Sequence, residues 1–299
     1  MLGSAVDEPT SAQEPAAADG PLSWRSLGLE AMASMLVVWL RRRGNRSFEA
    51  QCQWPRMHPL NERTPTVAHH PLIIVESTRQ LAAAVRHRHL PATRRGTACE
   101  AMSVSLGLRP GAQPAESGSA THVPVRVTLS DLVPGPGGLD AFRVTAEFLH
   151  AGQQFATCTM TFAAPARRPA GAPAAAPGAG LLHPAAAAVG AVADSDVLLA
   201  RAPQGRLVIV PRDPAHPVLL PGRPSLLPAV AVLEAGRQAV LLSSGMTAGA
   251  VVGLQTALRS PVPDQGAAVD VAADHRGARF VVTTEGCVAA TGAVSLLRS

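Results

Sequence analysis

Two stretches of the chain carry apolar runs that read as nearly apolar all round a helix, interrupted by one polar set each, and the segments on either side of them follow a period of about 2 residues rather than 3.6. Leu72–His89 and Ala229–Gly245 read as helices. Pro71 and Pro228 stand just ahead of them, where proline is tolerated in a first turn. Their apolar character on all sides marks them as buried rather than surface helices. A hairpin signal precedes each helix: Met35–Leu40 and Ser47–Trp54 around "RRRGNR", then Val197–Ala200 and Arg206–Val210 around "RAPQG". A β-rich run follows each helix. The first comprises Ala98–Leu108, Val123–Leu129, Phe142–Leu149 and Phe155–Phe162. The second comprises Val251–Leu258, Ala267–Ala272, Arg279–Thr284 and Val288–Leu297. The last two strands of each run are joined by "HAGQQ" and "TEGCV", both centred on glycine.

The two blocks share more than an order of elements. His58-Pro59 precedes Glu76 as His216-Pro217 precedes Glu234, with the same offset (216 − 58 and 234 − 76, both 158). Arg79-Gln80 and Arg237-Gln238 keep that spacing, so one supersecondary unit is present twice. A long buried helix followed by antiparallel strands is satisfied when the sheet wraps the helix. The fold class expected is therefore α+β, a double hotdog, with the two copies paired because a lone copy would leave a strand edge open. Composition divides the chain into a disordered Ala/Glu/Pro/Asp-rich tail at 1–22, a first copy at 23–162, an Ala/Pro/Gly linker at 163–192 and a second copy at 193–299.

Composition narrows the partners. Aromatics are only 3% of the chain, with no tyrosine, so alanine, valine and leucine must fill the core. Every base is arginine, net charge is +5 and the pI is about 10.1, a balance that suits an acidic partner. The arginines are scattered apart from Arg41–Arg43, Arg94–Arg95 and Arg167–Arg168, without aromatic interleaving, which argues against nucleic acid. Cys52, Cys99, Cys158 and Cys287 lie too far apart for metal-ligand spacing, so no metal or other cofactor is expected. The run Ala31–Leu40 is too short to span a bilayer, and the first thirty residues lack the pattern of a signal peptide. A cytoplasmic location is the expectation.

Glu-x-x-Arg-Gln is the polar feature of both helices. Glu76 and Arg79, three apart, can pair, with Gln80 on the side of Glu76. In an apolar helix such a set can be a self-satisfied polar cluster, because a buried charge is costly unless paired. It also lies within about two turns of a helix start, where free N–H groups and the dipole would polarise a carbonyl placed near Pro71 and Leu72. A carboxylate there can serve as acid–base group, and a guanidinium can hold a phosphate. His58 and His216 read as structural loop residues, His70 as a possible proton carrier, His87 and His89 as an exposed helix end, and Trp54 as packing at the seam.

The segment "RSFEAQCQWPRMHPLNERTPTVAHHPLIIVESTRQLAAAV" resembles the A-factor biosynthesis (AfsA-type) hotdog family, through "QWPRxH" and "PLxxxExxRQ". A second "LEAGRQA" continues the resemblance, which runs from about Met35 to the end with the linker unmatched. It implies an acyltransferase that moves a β-ketoacyl group from acyl carrier protein to dihydroxyacetone phosphate, on the way to γ-butyrolactone autoregulators. The catalytic acids would be Glu76 or Glu234. Arg79, Gln80, Arg237, Gln238, Pro71 and Leu72 would bind substrate. "LLPGRPSLLPAVAVLEAGRQA" is also similar to a β-hydroxyacyl carrier protein dehydratase, with Leu219 where that enzyme has its histidine. Departures from the A-factor pattern are His70 in place of an aspartate, and Ser225-Leu226 in place of an Asp-His pair. They motivate an alternative reading, a non-catalytic binder of acyl thioesters or butyrolactones with a regulatory role. Thioester hydrolysis is a third.

Overall fold

The computed structural model describes residues 22–61, 67–90, 99–116, 120–135, 138–164, 180–246, 248–274 and 277–297. The tail expected at 1–22 lies outside them except for its last residue, as does the middle of the expected linker. The first block runs β1 (Val37–Arg42), β2 (Ser47–Pro55), β3 (Val67–Ala68), α1 (Pro71–His89), β4 (Glu100–Leu108), β5 (Ala115–Glu116), β6 (Ala120–Gly135), β7 (Gly138–His150) and β8 (Gln153–Ala163). The second runs β9 (Leu199–Arg201), β10 (Leu207–Ile209), α2 (Ala229–Ser244), β11 (Val251–Leu258), β12 (Ala268–Asp274), β13 (Gly277–Thr284) and β14 (Cys287–Leu296).

Among the described residues twelve strands form one antiparallel sheet, in the order β1-β2-β6-β7-β8-β4-β11-β14-β13-β12-β10-β9. The order mirrors itself about the β4–β11 junction. In each half the hairpin before the helix lies outermost and the strand after the helix innermost. The alternation along β6 shows why: Thr121, Val123, Val125, Val127 and Leu129 are buried while their neighbours are not. That face lies over the helices. Helix α1 packs on β1, β2, β4, β7 and β8, and α2 on β4, β9 and β11 to β14, while the two helices touch each other. No helix is long and apolar enough to cross a membrane.

Both glycine-centred turns have the expected geometry. Ala151-Gly152 and Glu285-Gly286 each carry two positive φ angles, which two-residue hairpins require to match strand twist. Three features differ from the sequence reading. Trp54 is fully buried against His69, Phe148 and Phe155, all of the first block; it sits on β2, with β6, β7 and β8 between it and β4, so it does not pack at the seam. His89 lies half-buried against the Phe48 ring, leaving His87 as the exposed member. Residues 180–192, assigned to the linker by composition, are tied to the second block at two points: Leu182, itself exposed, bridges to Arg201, and Val189 is fully buried.

Candidate functional site

The start of α1 is fixed by side chains from the two loop segments on either side of β3 and from β6. Pro71 supplies a helical φ and has no N–H, and His70 caps the helix by accepting the Leu72 N–H at Nδ1, 3.2 Å. This is the acceptor role an aspartate would fill, so exchanging one for the other keeps the cap. Asn61 accepts the His70 N–H at Oδ1, 3.0 Å, and donates from Nδ2 to His69 Nδ1, 3.0 Å, and to the carbonyls of Pro55 and Arg56. With Nδ1 of His69 accepting, its proton sits on Nε2 and is donated to Thr121 Oγ1 at 2.8 Å. The Leu72 amide is thus already engaged. Pro228 caps α2 without any side-chain hydrogen bond.

The two Glu-x-x-Arg-Gln sets have one geometry. Arg79 grips Glu76 through Nε to Oε2, 2.8 Å, and Nη2 to Oε1, 2.7 Å; Arg237 grips Glu234 at 2.7 and 2.6 Å in the same way. Gln80 Nε2 donates to Glu76 Oε1 at 2.9 Å and Gln238 Nε2 to Glu234 Oε1 at 2.8 Å. Each glutamine also pins its helix to the segment leading into the outer hairpin. Gln80 takes the Leu36 N–H and gives to the Ser34 carbonyl, both at 2.8 Å. Gln238 takes the Leu198 N–H at 2.9 Å and gives to the Asp196 carbonyl at 2.7 Å. The structure therefore brings Glu76, Arg79 and Gln80 together, and Glu234, Arg237 and Gln238 together. Pro71 and Leu72 lie one to two turns nearer the start of α1.

Access separates the sets. Side-chain exposure is 29% for Arg79 and 9% for Glu76, against 1% for Arg237 and 2% for Glu234. The Gly190 carbonyl accepts a third hydrogen bond from Arg237, at 3.0 Å from Nη2, while Arg237 Nη1 is buried with no partner among the described residues. Gly190 ends a short 3-10 turn, Ala186–Val189, and has φ +61°. Leu27-Gly28 stands at the same distance ahead of Ser34 and Leu36 as Val189-Gly190 ahead of Asp196 and Leu198 (190 − 28, 196 − 34 and 198 − 36, all 162). Gly28 has φ +68°. Sequence alone hides this second internal match, because the matched apolar residues differ in identity and the stretch before Val189 is alanine-rich. The constant offset was its one available signal.

The histidines of the two His-Pro motifs hold loops. His216 Nδ1 accepts the Leu219 and Val218 N–H groups, at 3.0 and 3.2 Å, and Nε2 donates to Asp196 Oδ1 at 3.0 Å. His58 Nδ1 accepts the Leu60 N–H at 3.3 Å. Burial lowers the His58 pKa to about 4, against a smaller opposing pull from Glu76. Burial also takes His70 well below the usual histidine value, helped by the positive charge of Arg237 and by His58, with Asp196 opposing. Burial would raise Asp196, but hydrogen bonds from His216, the Ala193 N–H and Ser195 prevail and hold it below the usual value. Glu76 raises the Arg79 pKa against burial, so the guanidinium stays charged. Cys52 and Cys158 are pushed up to about 12 by burial, which removes them as nucleophiles. No cluster of metal-ligating side chains occurs among the described residues.

The family model of the A-factor biosynthesis hotdog domain matches residues 28–165. Among solved structures, the dehydratase domain from the terminal module of the rifamycin polyketide synthase aligns at 17% identity and TM-score 0.46, over 92% of this chain and 100% of that one. HtdX from Mycobacterium tuberculosis aligns at 15% and 0.42, over 92% and 93% of the two chains. A TesB protein of Mycobacterium avium subsp. paratuberculosis aligns at 13% and 0.43, over 86% and 95%. These likenesses are distant, and no property of theirs is carried to this chain. A search of curated proteins returned no match.

Proposed function

We propose, from the match of residues 28–165 to the family model of the A-factor biosynthesis hotdog domain, that the chain is an acyltransferase of γ-butyrolactone autoregulator biosynthesis. It would move a β-ketoacyl group from acyl carrier protein to dihydroxyacetone phosphate. The observation that carries the reading is the partly exposed, bidentate Glu76–Arg79 pair in the second and third turns of α1. A carboxylate offers about four lone-pair positions. Glu76 uses three, two on Oε1 and one on Oε2, so Oε2 retains one that can take a proton. In the proposed step the acceptor hydroxyl oxygen attacks the thioester carbonyl while its proton passes to Glu76. The new C–O bond forms, the C–S bond breaks, and the proton goes on to the departing carrier thiolate. Arg79 would hold the acceptor phosphate, and the net charge of +5 suits an acidic carrier. We read the whole chain as a double hotdog, with a first copy at 23–162 and a second at 193–299, and the mirrored sheet order supports the doubling. The proposed setting is the cytoplasm.

The test is direct. Purified protein is mixed with β-ketoacyl carrier protein and dihydroxyacetone phosphate, and the phosphorylated ester is sought by mass spectrometry. Absence of ester from folded protein, beside a working positive control, removes the proposal. Release of free β-keto acid without the phosphate would favour hydrolysis instead. The alternative of a non-catalytic binder of acyl thioesters or butyrolactones draws support from the complete enclosure of Glu234 and Arg237. It requires ligand binding that survives Glu76→Gln and Glu234→Gln, with no turnover by the unmodified protein.

A further inference from the structure

We propose that the two guanidiniums have divided labour: Arg79 takes the anionic group of the substrate, and Arg237 is an internal strut that takes none. The inference rests on the reading above only for which anion is bound. Counting donors makes the case. A guanidinium has five N–H groups. Arg79 spends two on Glu76, and among the described residues it donates to nothing else. Three remain, on a side chain with 29% exposure, which is the fork geometry a phosphate accepts in pairs. Arg237 spends two on Glu234 and a third on the Gly190 carbonyl, so a backbone oxygen already stands where a ligand oxygen would. Its last two donors, on Nη1, are sealed in. A phosphate arriving there would lose its hydration beside a pair that is already neutral, with no attraction to offset that loss.

Gly190 is the residue that closes the second set. A Cβ at position 190 would meet Leu241 Cδ1 at 2.8 Å, Ala248 Cβ at 3.0 Å and Arg237 Nη1 at 3.1 Å. Only a glycine, at φ +61°, lets the backbone approach that closely. At the matching place in the first copy, a Cβ on Gly28 would meet nothing within 4 Å. The same turn is therefore packed shut in one copy and loose in the other.

Arginine-selective labelling of the full chain with p-hydroxyphenylglyoxal, followed by digestion and mass spectrometry, tests this without any variant. Arg79 is expected to label at least about tenfold faster than Arg237, whose labelling needs local opening, and millimolar inorganic phosphate is expected to slow Arg79 alone. In Gly190→Ala, Arg237 is expected to label faster while Arg79 keeps its rate. Equal labelling of both in the unmodified protein overturns the strut. Arg79 labelling that neither inorganic phosphate nor dihydroxyacetone phosphate slows overturns the handle. Protection by inorganic phosphate but not by dihydroxyacetone phosphate upholds the division of labour and removes the proposed acceptor.

Discussion

A glutamate–arginine pair has different energetics according to whether water can reach it, and this chain holds both cases in one geometry. Removing the acid from an enclosed pair strands a buried cation, at about 3–5 kcal/mol; an accessible arginine rehydrates, and the loss is about 1 kcal/mol or less. Glu234→Gln should therefore lower the urea midpoint far more than Glu76→Gln, with unchanged m-values in both. The buried histidines give a second expectation. His58 has a folded pKa of about 4 against an ordinary 6.5, so between those values the unfolded chain binds a proton that the folded chain refuses. Stability is full above pH 6.5 and falls as pH drops toward 4, by about 3 kcal/mol from this group, and His70 adds to the fall in the same direction. His58→Gln should flatten the denaturation midpoint between pH 6.5 and 4 relative to the parent. At this scale the Glu-x-x-Arg-Gln sets were legible because charges stand out in an apolar helix. The Asn61–His69–Thr121 chain was not, since Thr121 is 52 positions from His69 and only the sheet brings them together.

The two helices meet the sheet through different chemistry at matching positions. On α1, Ser77 accepts a hydrogen bond from Trp54 Nε1 at 2.9 Å, and Thr78 returns its hydroxyl to the Ile74 carbonyl, also at 2.9 Å. The corresponding residues of α2 are Ala235 and Gly236, and here a fully buried Phe280 ring fills the gap. A Cβ on Gly236 or on Gly292 of β14 would overlap that ring. Gly236→Ala and Gly292→Ala should each cost about 1–3 kcal/mol through overpacking, despite the better helix propensity of alanine. Phe280→Leu should recover part of the loss in the Gly236→Ala background but little in Gly292→Ala, where the Cβ also overlaps the Gln255 carbonyl, whereas alone it should destabilise in thermal unfolding. Periodicity located both helices and the strand cores closely, because strands such as β2 and β6 bury alternate side chains. It missed the length of the β6–β7 ribbon. Leu129 ends the expected strand, yet pairing continues to Gly135 opposite Gly138. An irregularity between Ser130 and Val133, with Asp131 at φ +49°, lets the strand run on past Pro134. A bulge has no period, so the pattern breaks where the strand does not.

The halves are joined through backbone pairing as well as packing. Ser103 to Gly107 of β4 pair with Ala257 to Gly253 of β11, and Leu106 and Leu254, opposite each other, are both buried. At Gly253 a Cβ would lie 3.4 Å from the Leu106 carbonyl and 3.2 Å from the Ser295 side chain, so the strands are tightly packed at this point of the seam. A first half made alone would keep α1 and its own strands but expose the row of N–H and C=O groups on β4, together with the surface of α1 that touches α2. An unpaired strand edge beside an apolar face is a template for association. Residues 22–164 expressed as a fragment should therefore form a dimer or larger species in analytical ultracentrifugation, its β4 edges pairing antiparallel as β4 now pairs with β11. Adding residues 180–297 in trans should convert that species to a one-to-one complex. A fragment that stays monomeric and unfolds with the cooperativity of the full chain would mean that the helix and sheet of one half suffice. The mirrored order of the sheet would then reflect ancestry rather than a present need for the second half.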